Sequence, residues 1–358
     1  MEGGRGRHRR ALAGAVVLAA VAVLGGCGRH AGTPYRPPGR GQAAILLTAD
    51  EAGSGLDLNT IRADDGMAFA PDGSLYLLRT DLFRISPDRK VSRVWRAGAY
   101  VTGGLAVLPD GALAVGVRGG VLRVDRHGKA STLAGVPDPA PGKATGTVAA
   151  AGSGPFVGVA RPLGSRPDGT LLVQDSMAVW AVRNGVVTKV LDSPANSATL
   201  DADSDEVPVR STADAAGDVY FMSVARPLDG LADRITRVTP EGKAAHVPVP
   251  QRIAGLAGGP GRLHVESLAG DGADGVYVDA LDDDTSTSGL DDYVLHLSGG
   301  RAEVVAHSHT TEHVLDCTLT HPVGARELPC ALPQGMAYHR GALALDGMVH
   351  YTLEVAVS

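Results

Sequence analysis

Three aspartates alternate in the acidic sequence DADSDE, which places side-chain oxygens at every second residue. A calcium-binding loop begins in this way, because calcium is held by roughly six to eight oxygen atoms. Asp201, Asp203 and Asp205 are therefore candidate calcium ligands, and calcium is the candidate cofactor at this loop. Glu206 and Thr212 occupy the places of the glycine and the distal glutamate of an EF-hand loop. A solvated acidic loop is the alternative interpretation.

A second candidate metal site lies in the histidine-rich sequence HSHTTEH. His309, Glu312 and His313 formally fit the H-x-x-E-H pattern of the inverzincin enzymes, in which two histidines on one helical turn hold zinc. The segment is predicted to be a loop, and no helix is predicted beyond it to supply a further ligand. The other interpretations are a structural or adventitious metal at His309 and His313, or a polar loop.

These candidate ligands lie between copies of a short turn motif. AFAPDGSLYL begins at Ala68, and LAVLPDGALA begins at Leu105. In each copy proline presets φ, aspartate bonds its own backbone and glycine accepts a positive φ, so the motif predicts a tight hairpin between two strands. A third copy is centred on Pro167-Asp168-Gly169, and weaker copies are centred on Gly217, Gly275 and Gly341.

Each hairpin is followed by a third apolar stretch, a second polar turn and a fourth stretch, which predicts a four-stranded meander. The sixth unit lacks its outer strand. The apolar segment 43–47 precedes the first unit and is predicted to fill that place, because a closed ring of sheets leaves few open edges. The sequence therefore predicts an all-β protein, a β-propeller of about six four-stranded blades whose last blade is closed by the N-terminal strand.

Two segments of the second unit resemble NHL-repeat propellers. These segments are Gly104 to Gly111 and Arg123 to Gly135, the latter ending in Ser-Thr-Leu-Ala-Gly. The resemblance covers residues 43–358, with units one to three closer to the repeat than units four to six. It implies a propeller scaffold and leaves the ligand open, since a fold does not specify a function.

The N-terminal segment has the features of an export signal. Arginines precede an apolar run of 14 residues from Ala11 to Leu24, which is shorter than the roughly 20 residues of a transmembrane helix. The step Leu-Gly-Gly-Cys27 resembles the lipobox of bacterial lipoproteins, which implies that Cys27 is acylated. We therefore expect a lipoprotein signal peptide over 1–26, a flexible tether over 27–42 and a propeller over 43–358. The alternative is a secretory signal with an unmodified cysteine.

Lipidation would place the domain on the extracytoplasmic face of the cell membrane, held through a lipid anchor. Disulfides persist in that oxidising compartment, so Cys317 and Cys330, 13 residues apart, are predicted to pair. Two free thiols are the alternative. The net charge of -6 argues against a nucleic-acid partner, and we expect a monomer.

The predicted meander separates short turns from long connections. The Pro-Asp-Gly turns lie on one face, and the long insertions lie on the other, where binding sites of rigid scaffolds usually occur. The first hypothesis is therefore a binding module whose long-loop face meets a protein, peptide or cell-envelope ligand. A structural envelope component is a further alternative.

An enzyme is the competing hypothesis, specifically a divalent-metal-dependent lactonase or lyase at the funnel. The six-bladed regucalcin and gluconolactonase family holds a cation there with a Glu, an Asn and an Asp from different blades. Asparagine occurs in this chain at 59, 184 and 196, and the triad does not carry over residue by residue. No catalytic residue is therefore assigned, and the enzyme hypothesis ranks second.

Overall fold

The computed structural model describes residues 35–52, 56, 58, 66–96, 101–135, 156, 158–175, 178–192, 211–214, 216–222, 231, 235–256, 258–282, 289–310, 316–347 and 349–358. Within these residues, six antiparallel sheets are arranged in chain order as the blades of a propeller. The innermost strands of adjacent blades contact one another around a closed ring, from the first blade to the sixth and back to the first. The predicted all-β, six-bladed fold is confirmed.

The strands of each blade run from the innermost to the outermost in chain order in blades 1 to 5. Blade 1 consists of β2 (Met67–Phe69), β3 (Leu75–Leu78), β4 (Leu82–Ile85) and β5 (Val91–Trp95). Blade 2 consists of β6 (Val101–Val107), β7 (Leu113–Val117), β8 (Gly120–Val124) and β9 (Ala130–Gly135). Blade 3 consists of β10 (Arg161–Ser165), β11 (Leu171–Gln174), β12 (Ala178–Arg183) and β13 (Val186–Asp192).

The second half of the ring follows the same plan. Blade 4 consists of β14 (Ser211–Ala213), β15 (Val219–Met222), β16 (Ile235–Val238) and β17 (Ala244–His246). Blade 5 consists of β18 (Leu263–Gly270), β19 (Val276–Asp282), β20 (Leu290–Ser298) and β21 (Arg301–Thr310). Blade 6 consists of β23 (Gly335–His339), β24 (Ala342–Asp346), β25 (Tyr351–Ala356), β1 (Gln42–Thr48) and β22 (Val323–Gly324). The described helical elements are α1 (Ala49–Ala52) and a 3-10 turn at Pro260–Arg262.

The N-terminal strand closes the ring. β1 pairs antiparallel with β25, from Ala43 opposite Val355 to Thr48 opposite Tyr351, and it thereby supplies the outer strand that the sixth repeat lacks. The predicted closure is confirmed. A short further strand, β22, pairs with the other edge of β1.

The Pro-Asp-Gly turns have the geometry that their residue types predict. In blade 1 the Asp72 carboxylate accepts a hydrogen bond of 2.9 Å from the backbone N–H of Ser74, and Gly73 has a φ of +82°. The N–H of Gly73 donates to the carbonyl of Ala70 at 2.9 Å. Aspartate therefore caps the turn and glycine supplies the left-handed conformation that other residues rarely adopt. The turns centred on Asp110 and Asp168 repeat this arrangement.

The core consists of apolar layers between neighbouring blades. One layer joins Tyr220 and Met222 of blade 4 to Val265 and Val278 of blade 5, and all four side chains are buried. Each blade therefore buries both faces of its inner strands against its neighbours, which is why these strands read as almost continuous apolar runs.

The predicted disulfide is present between Cys317 and Cys330, with 5.5 Å between the two Cα atoms. It lies in the connection that precedes β23, and Cys330 is packed in the apolar layer of blade 6. The bridge therefore ties a long connection to the blade that also holds the N-terminal strand.

Candidate functional site

A cavity of about 580 Å³ lies at the centre of the ring, at the end where the short turns are. Its lining consists of the last residues of the six inner strands and the first residues of the turns that follow them. Binding sites for small molecules commonly occupy roughly 300 to 1,000 Å³. We refer to this cavity as the funnel.

The two sides of the funnel differ in chemistry. Blades 1 and 2 contribute an apolar wall, which includes Met67, Phe69, Val107 and Leu108. Blades 3 to 6 contribute a charged wall, which includes Arg166, Asp214, Asp271, His339 and Arg340. A ligand with an apolar part and a polar part would match both walls.

The position of aspartate within the turn produces this difference. In the first three blades the capping aspartate is the third residue of the turn, where it points away from the funnel and pairs with an arginine of the same blade. In blades 4 and 5 the capping aspartate is the first residue, Asp214 or Asp271, and that position lines the funnel. An aspartate at the first residue of the turn instead of the third still caps the turn, and it also places a carboxylate in the wall of the funnel.

The Asp271 carboxylate has a partner for each oxygen. Its Oδ1 accepts from the backbone N–H groups of Ala273 and Gly275 at 2.8 and 3.0 Å. Its Oδ2 lies 2.9 Å from Nε2 of His296. Burial acts to raise the pKa of Asp271, but the hydrogen bonds from His296 and the two amides outweigh it and hold the pKa below its usual range. Asp271 is therefore a fixed anion in the charged wall.

The Asp214 carboxylate has a partner for only one oxygen among the described residues. Its Oδ1 accepts from the backbone N–H of Asp218 at 3.0 Å, whereas its Oδ2 is buried without a hydrogen-bond partner. Asp214 is only 5% exposed. Burial raises the pKa of Asp214 to about 6, the nearby charge of Asp218 adds to the increase, and backbone N–H groups oppose it.

The cations near Asp214 are hydrogen-bonded to other groups. Tyr220 is fully buried, and its hydroxyl has no hydrogen-bond partner within the described part of the chain. Arg237 is directed to Asp218, with 2.7 Å from its Nε to the Asp218 Oδ2. Arg166 lies across the same turn and donates to the carbonyl of Gly217 at 3.3 Å.

Rings of blades 6 and 1, namely Tyr338, His339 and Phe69, line part of the funnel. His339 stacks on Phe69 with 5.6 Å between ring centroids, and Tyr338 lies 5.1 Å from Tyr277. The Tyr277 ring in turn stacks on His296, which holds Asp271. Flat apolar faces therefore lie near the carboxylates, as in sites that bind amphipathic ligands.

Several residues singled out in the sequence lie outside the described part of the chain. They are Cys27, Asn59, Asn196, Asp201, Asp203, Asp205, Glu206, Glu312 and His313. The calcium and lipidation sites therefore stay predictions.

His309 lies in strand β21, although we predicted a loop there. The β20–β21 hairpin stays paired as far as Leu290 opposite Thr310, which extends the strand through the histidines. His309 Nδ1 and His307 Nε2 lie 3.0 and 2.9 Å from the same Asp291 oxygen. Residues in a strand alternate between its two faces, so His307 and His309 share one side of β21.

The described residues do not assemble a metal centre. No group of three or more His, Cys, Asp or Glu side chains within the described ranges could hold a metal ion. Glu51 of α1 forms an ion pair with Arg89 at 2.6 Å, and Asn184 lies in an outer turn with a φ of +50°. The Glu, Asn and Asp set of the lactonase hypothesis is therefore not formed by the described residues.

The residues that line the funnel were not among the predicted site residues. We expected binding at the long connections, whereas the cavity lies at the short-turn end. One signal was available, because the fourth and fifth turns lack the Pro-Asp-Gly order and begin with Asp214 and Asp271. In the sequence alone, this shift of the aspartate looks like decay of the repeat.

Comparisons with known proteins agree with the fold. A proposed gluconolactonase has a TM-score of 0.50 and 11% sequence identity, over 88% of this chain and 91% of that one. A gluconolactonase from Xanthomonas campestris has a TM-score of 0.49 and 14% identity, over 90% and 97%. A luciferin-regenerating enzyme has a TM-score of 0.46 and 9% identity, over 84% and 93%. No protein-family model and no curated sequence matches the chain.

Proposed function

We propose that this chain is an extracytoplasmic binding protein that takes a small amphipathic ligand in its central funnel. One observation carries the proposal. The funnel joins an apolar wall from blades 1 and 2 to a charged wall that contains a buried carboxylate oxygen without a partner among the described residues. A carboxylate that is buried without a partner for each oxygen is costly, and a hydrogen-bond-donating or cationic ligand group beside the Asp214 carboxylate would lower that cost.

The shape of the scaffold also supports binding at this place. Six inner strands and their short turns form the wall, so the lining side chains are attached to paired backbone. Little conformational entropy is lost when a ligand enters a site that is already ordered. The long connections on the opposite face stay a predicted surface for a protein, peptide or cell-envelope partner.

A matched pair of variants tests the funnel. Val107 lines the cavity, whereas Val186 is 64% exposed at the edge of blade 3. Small molecules would be screened against the purified full chain by ligand-observed NMR, and each hit would be titrated against Val107→Trp and Val186→Trp. We expect the first variant to weaken binding by at least about tenfold, roughly 1.4 kcal/mol, because indole fills the cavity. The second variant should bind as the parent chain does.

Two results would contradict the proposal. Hits that bind Val107→Trp as tightly as the parent chain would place the site elsewhere. A broad screen without any hit that is sensitive to the funnel substitution would remove the support for a small-molecule site.

The predicted lipid anchor at Cys27 is the basis for the proposed extracytoplasmic location of the protein. Acylation of Cys27 would hold the propeller at the outer surface of the membrane. No helix within the described ranges has the length and apolar character needed to cross a bilayer. We expect the parent chain to fractionate with membranes and to incorporate a labelled fatty acid, and Cys27→Ser to lose both properties. Cys317→Ser is the matched control, and an unlabelled parent chain would refute the anchor.

The alternative function is a divalent-metal-dependent lactonase or lyase, which is favoured by the fold shared with a proposed gluconolactonase. This function requires a bound cation, and a tightly bound cation raises the apparent stability of the folded state. Metal analysis of the purified protein and thermal unfolding with calcium or with a chelator test this point. A stoichiometric metal whose removal lowers the unfolding temperature would favour the enzyme over the binding protein.

A further inference from the structure

Blades 4 and 5 provide an internal comparison of two equivalent aspartates. Asp214 and Asp271 each begin the turn after the inner strand, and each caps the turn through Oδ1. Turn capping therefore accounts for one oxygen of each carboxylate. The second oxygen of Asp271 is bound by His296, whereas the second oxygen of Asp214 has no partner within the described residues.

The third strand of each blade explains why the second oxygen of Asp271 has a partner and that of Asp214 does not. His296 of blade 5 is opposite Tyr277, and Arg237 of blade 4 is opposite Tyr220 in the same register. Arg237 is thus the cation at the place where blade 5 has His296. It pairs with Asp218 instead, and the residue equivalent to Asp218 in blade 5 is a glycine. The second carboxylate of blade 4 therefore takes the cation that would have neutralised Asp214.

We propose that the Asp214 carboxylate, as part of the funnel wall, binds the ammonium group of a ligand, so that the funnel is a site for a primary amine with an apolar chain. This assignment rests on the proposed binding function of the funnel. The ammonium group would supply the cation that Arg237 supplies to Asp218. The apolar chain would lie against Met67 and Phe69 on the opposite wall.

An ammonium group fits the site better than a hydroxyl group does. A hydroxyl group can donate one hydrogen bond to the carboxylate, but it leaves a buried negative charge uncompensated, and such a charge is costly in a low dielectric. A hydrogen bond between an ammonium group and a carboxylate is charge-assisted and roughly twice as strong as a neutral one. The site therefore selects for positive charge at this point.

Nearby residues restrict which amines fit. Arg166 and Arg340 line the same wall on either side of the two aspartates, which disfavours a ligand with several positive charges. Gly270 of the adjacent blade makes room for Asp214, since a Cβ atom on Gly270 would lie 2.5 Å from the Asp214 Cβ. The ligand class is thus a monoamine with an apolar chain.

The test uses three probes of nearly equal size, n-butylammonium, n-butanol and butyrate. Each probe is titrated against the purified full chain by saturation-transfer NMR near neutral pH. We expect n-butylammonium to bind at roughly millimolar concentration, which is within the range for a ligand of this size. We expect n-butanol to bind at least about tenfold more weakly, and butyrate to show no binding.

Two substitutions that each remove one negative charge test whether Asp214 binds the ammonium group. Asp214→Asn keeps an oxygen for the turn cap and removes the charge, and it should weaken n-butylammonium binding by at least about tenfold. Asp110→Asn removes an exposed turn aspartate that is outside the funnel lining, and it should leave binding unchanged. Equal affinity of Asp214→Asn and the parent chain for n-butylammonium would overturn the proposal.

The remaining outcomes separate this proposal from the proposed function. If n-butanol binds as well as n-butylammonium and Val107→Trp abolishes both, the funnel binds ligands but the ammonium assignment is wrong. If no probe and no screened compound is sensitive to Val107→Trp, both proposals fail.

If Asp214→Asn does not fold, the parent chain is instead titrated with n-butylammonium at about pH 5. Binding should weaken there because protonation removes the charge of Asp214, and unchanged binding would overturn the assignment.

Discussion

Arg79 and Asp346 form an ion pair across the boundary between the first and the last blade. Arg79 directly follows β3, and Asp346 ends β24. Their side chains are 3% and 2% exposed, and Thr352 donates a further hydrogen bond of 3.1 Å to Asp346. Burial raises the pKa of Asp346, and the Arg79 guanidinium opposes that increase. The ring is therefore closed by a buried charge pair as well as by β1.

Asp346→Asn should destabilise the protein strongly. The substitution leaves the Arg79 charge in the interior without its carboxylate, which typically costs about 3 to 5 kcal/mol of unfolding free energy. Asp110→Asn breaks an exposed pair with Arg123 and should cost at most about 1 kcal/mol. Urea unfolding of the parent chain and both variants measures the difference. A loss for Asp346→Asn no larger than that for Asp110→Asn would show that the pair does not stabilise closure.

The fold could be predicted because its signals are local and repeated. Each Pro-Asp-Gly turn fixes a hairpin by its own residues, and the unpaired strand at Ala43 was the one element available for the sixth blade. The Arg79 and Asp346 pair could not be predicted in this way, since the two residues are 267 positions apart and only ring closure brings them together.

The funnel was missed for a related physical reason. A turn sequence specifies its own backbone conformation, but it does not specify which of its side chains faces the axis of the ring. That depends on how the blades are inclined and packed. Asp214 and Asp72 both cap a turn, yet only Asp214 lies in the wall of the funnel. Loop length alone therefore directed attention to the opposite face.

Removal of the disulfide should lower the stability of the domain. Cross-linking Cys317 and Cys330 closes a loop of 13 residues, which is worth about 3 kcal/mol in the chain-entropy account. The variant carrying Cys317→Ser and Cys330→Ser should lose about this free energy in urea unfolding, and a reductant should have no further effect on it. Reactive thiols at both positions in the non-reduced parent chain would contradict the pairing.

Removal of the N-terminal strand should expose the edge of blade 6. β1 pairs with β25 along most of its length, and Ala43 and Leu47 are almost fully buried. A chain that starts at residue 49 should therefore aggregate, because an open apolar edge strand recruits other strands. A chain that starts at Tyr35, whose hydroxyl donates to Glu354, should stay monomeric. Size-exclusion chromatography distinguishes the two, and a monomeric chain from residue 49 would refute closure by β1.

Asp214→Asn should change stability in a manner that depends on pH. Burial raises the pKa of Asp214 from its ordinary value of 3.8 to about 6, so between these values the folded state binds more protons than the unfolded state. The contribution of Asp214 to the free energy of unfolding therefore falls as pH rises from 3.8 to about 6, and it is constant at higher pH. Asparagine does not titrate, so the variant should gain stability relative to the parent chain across this window. Thermal unfolding at several pH values between about 4 and 7 measures the gain.

Asp168→Asn is the control, because the pKa of Asp168 is shifted in the direction opposite to that of Asp214. The Thr170 amide holds the pKa of Asp168 below its usual range, so Asp168 contributes stability that is present above its ordinary pKa and lost as pH falls. Asp168→Asn should therefore lose stability relative to the parent chain only as pH rises toward the ordinary value of 3.8, and the difference should be constant at higher pH, where Asp214→Asn gains stability. The charged and titratable groups that surround Asp214 are Arg166, Asp218, Tyr220, Arg237 and Asp271. They are common to all three proteins, so the difference between variant and parent isolates Asp214. A difference that does not change with pH would mean that the Asp214 carboxylate is not buried as described.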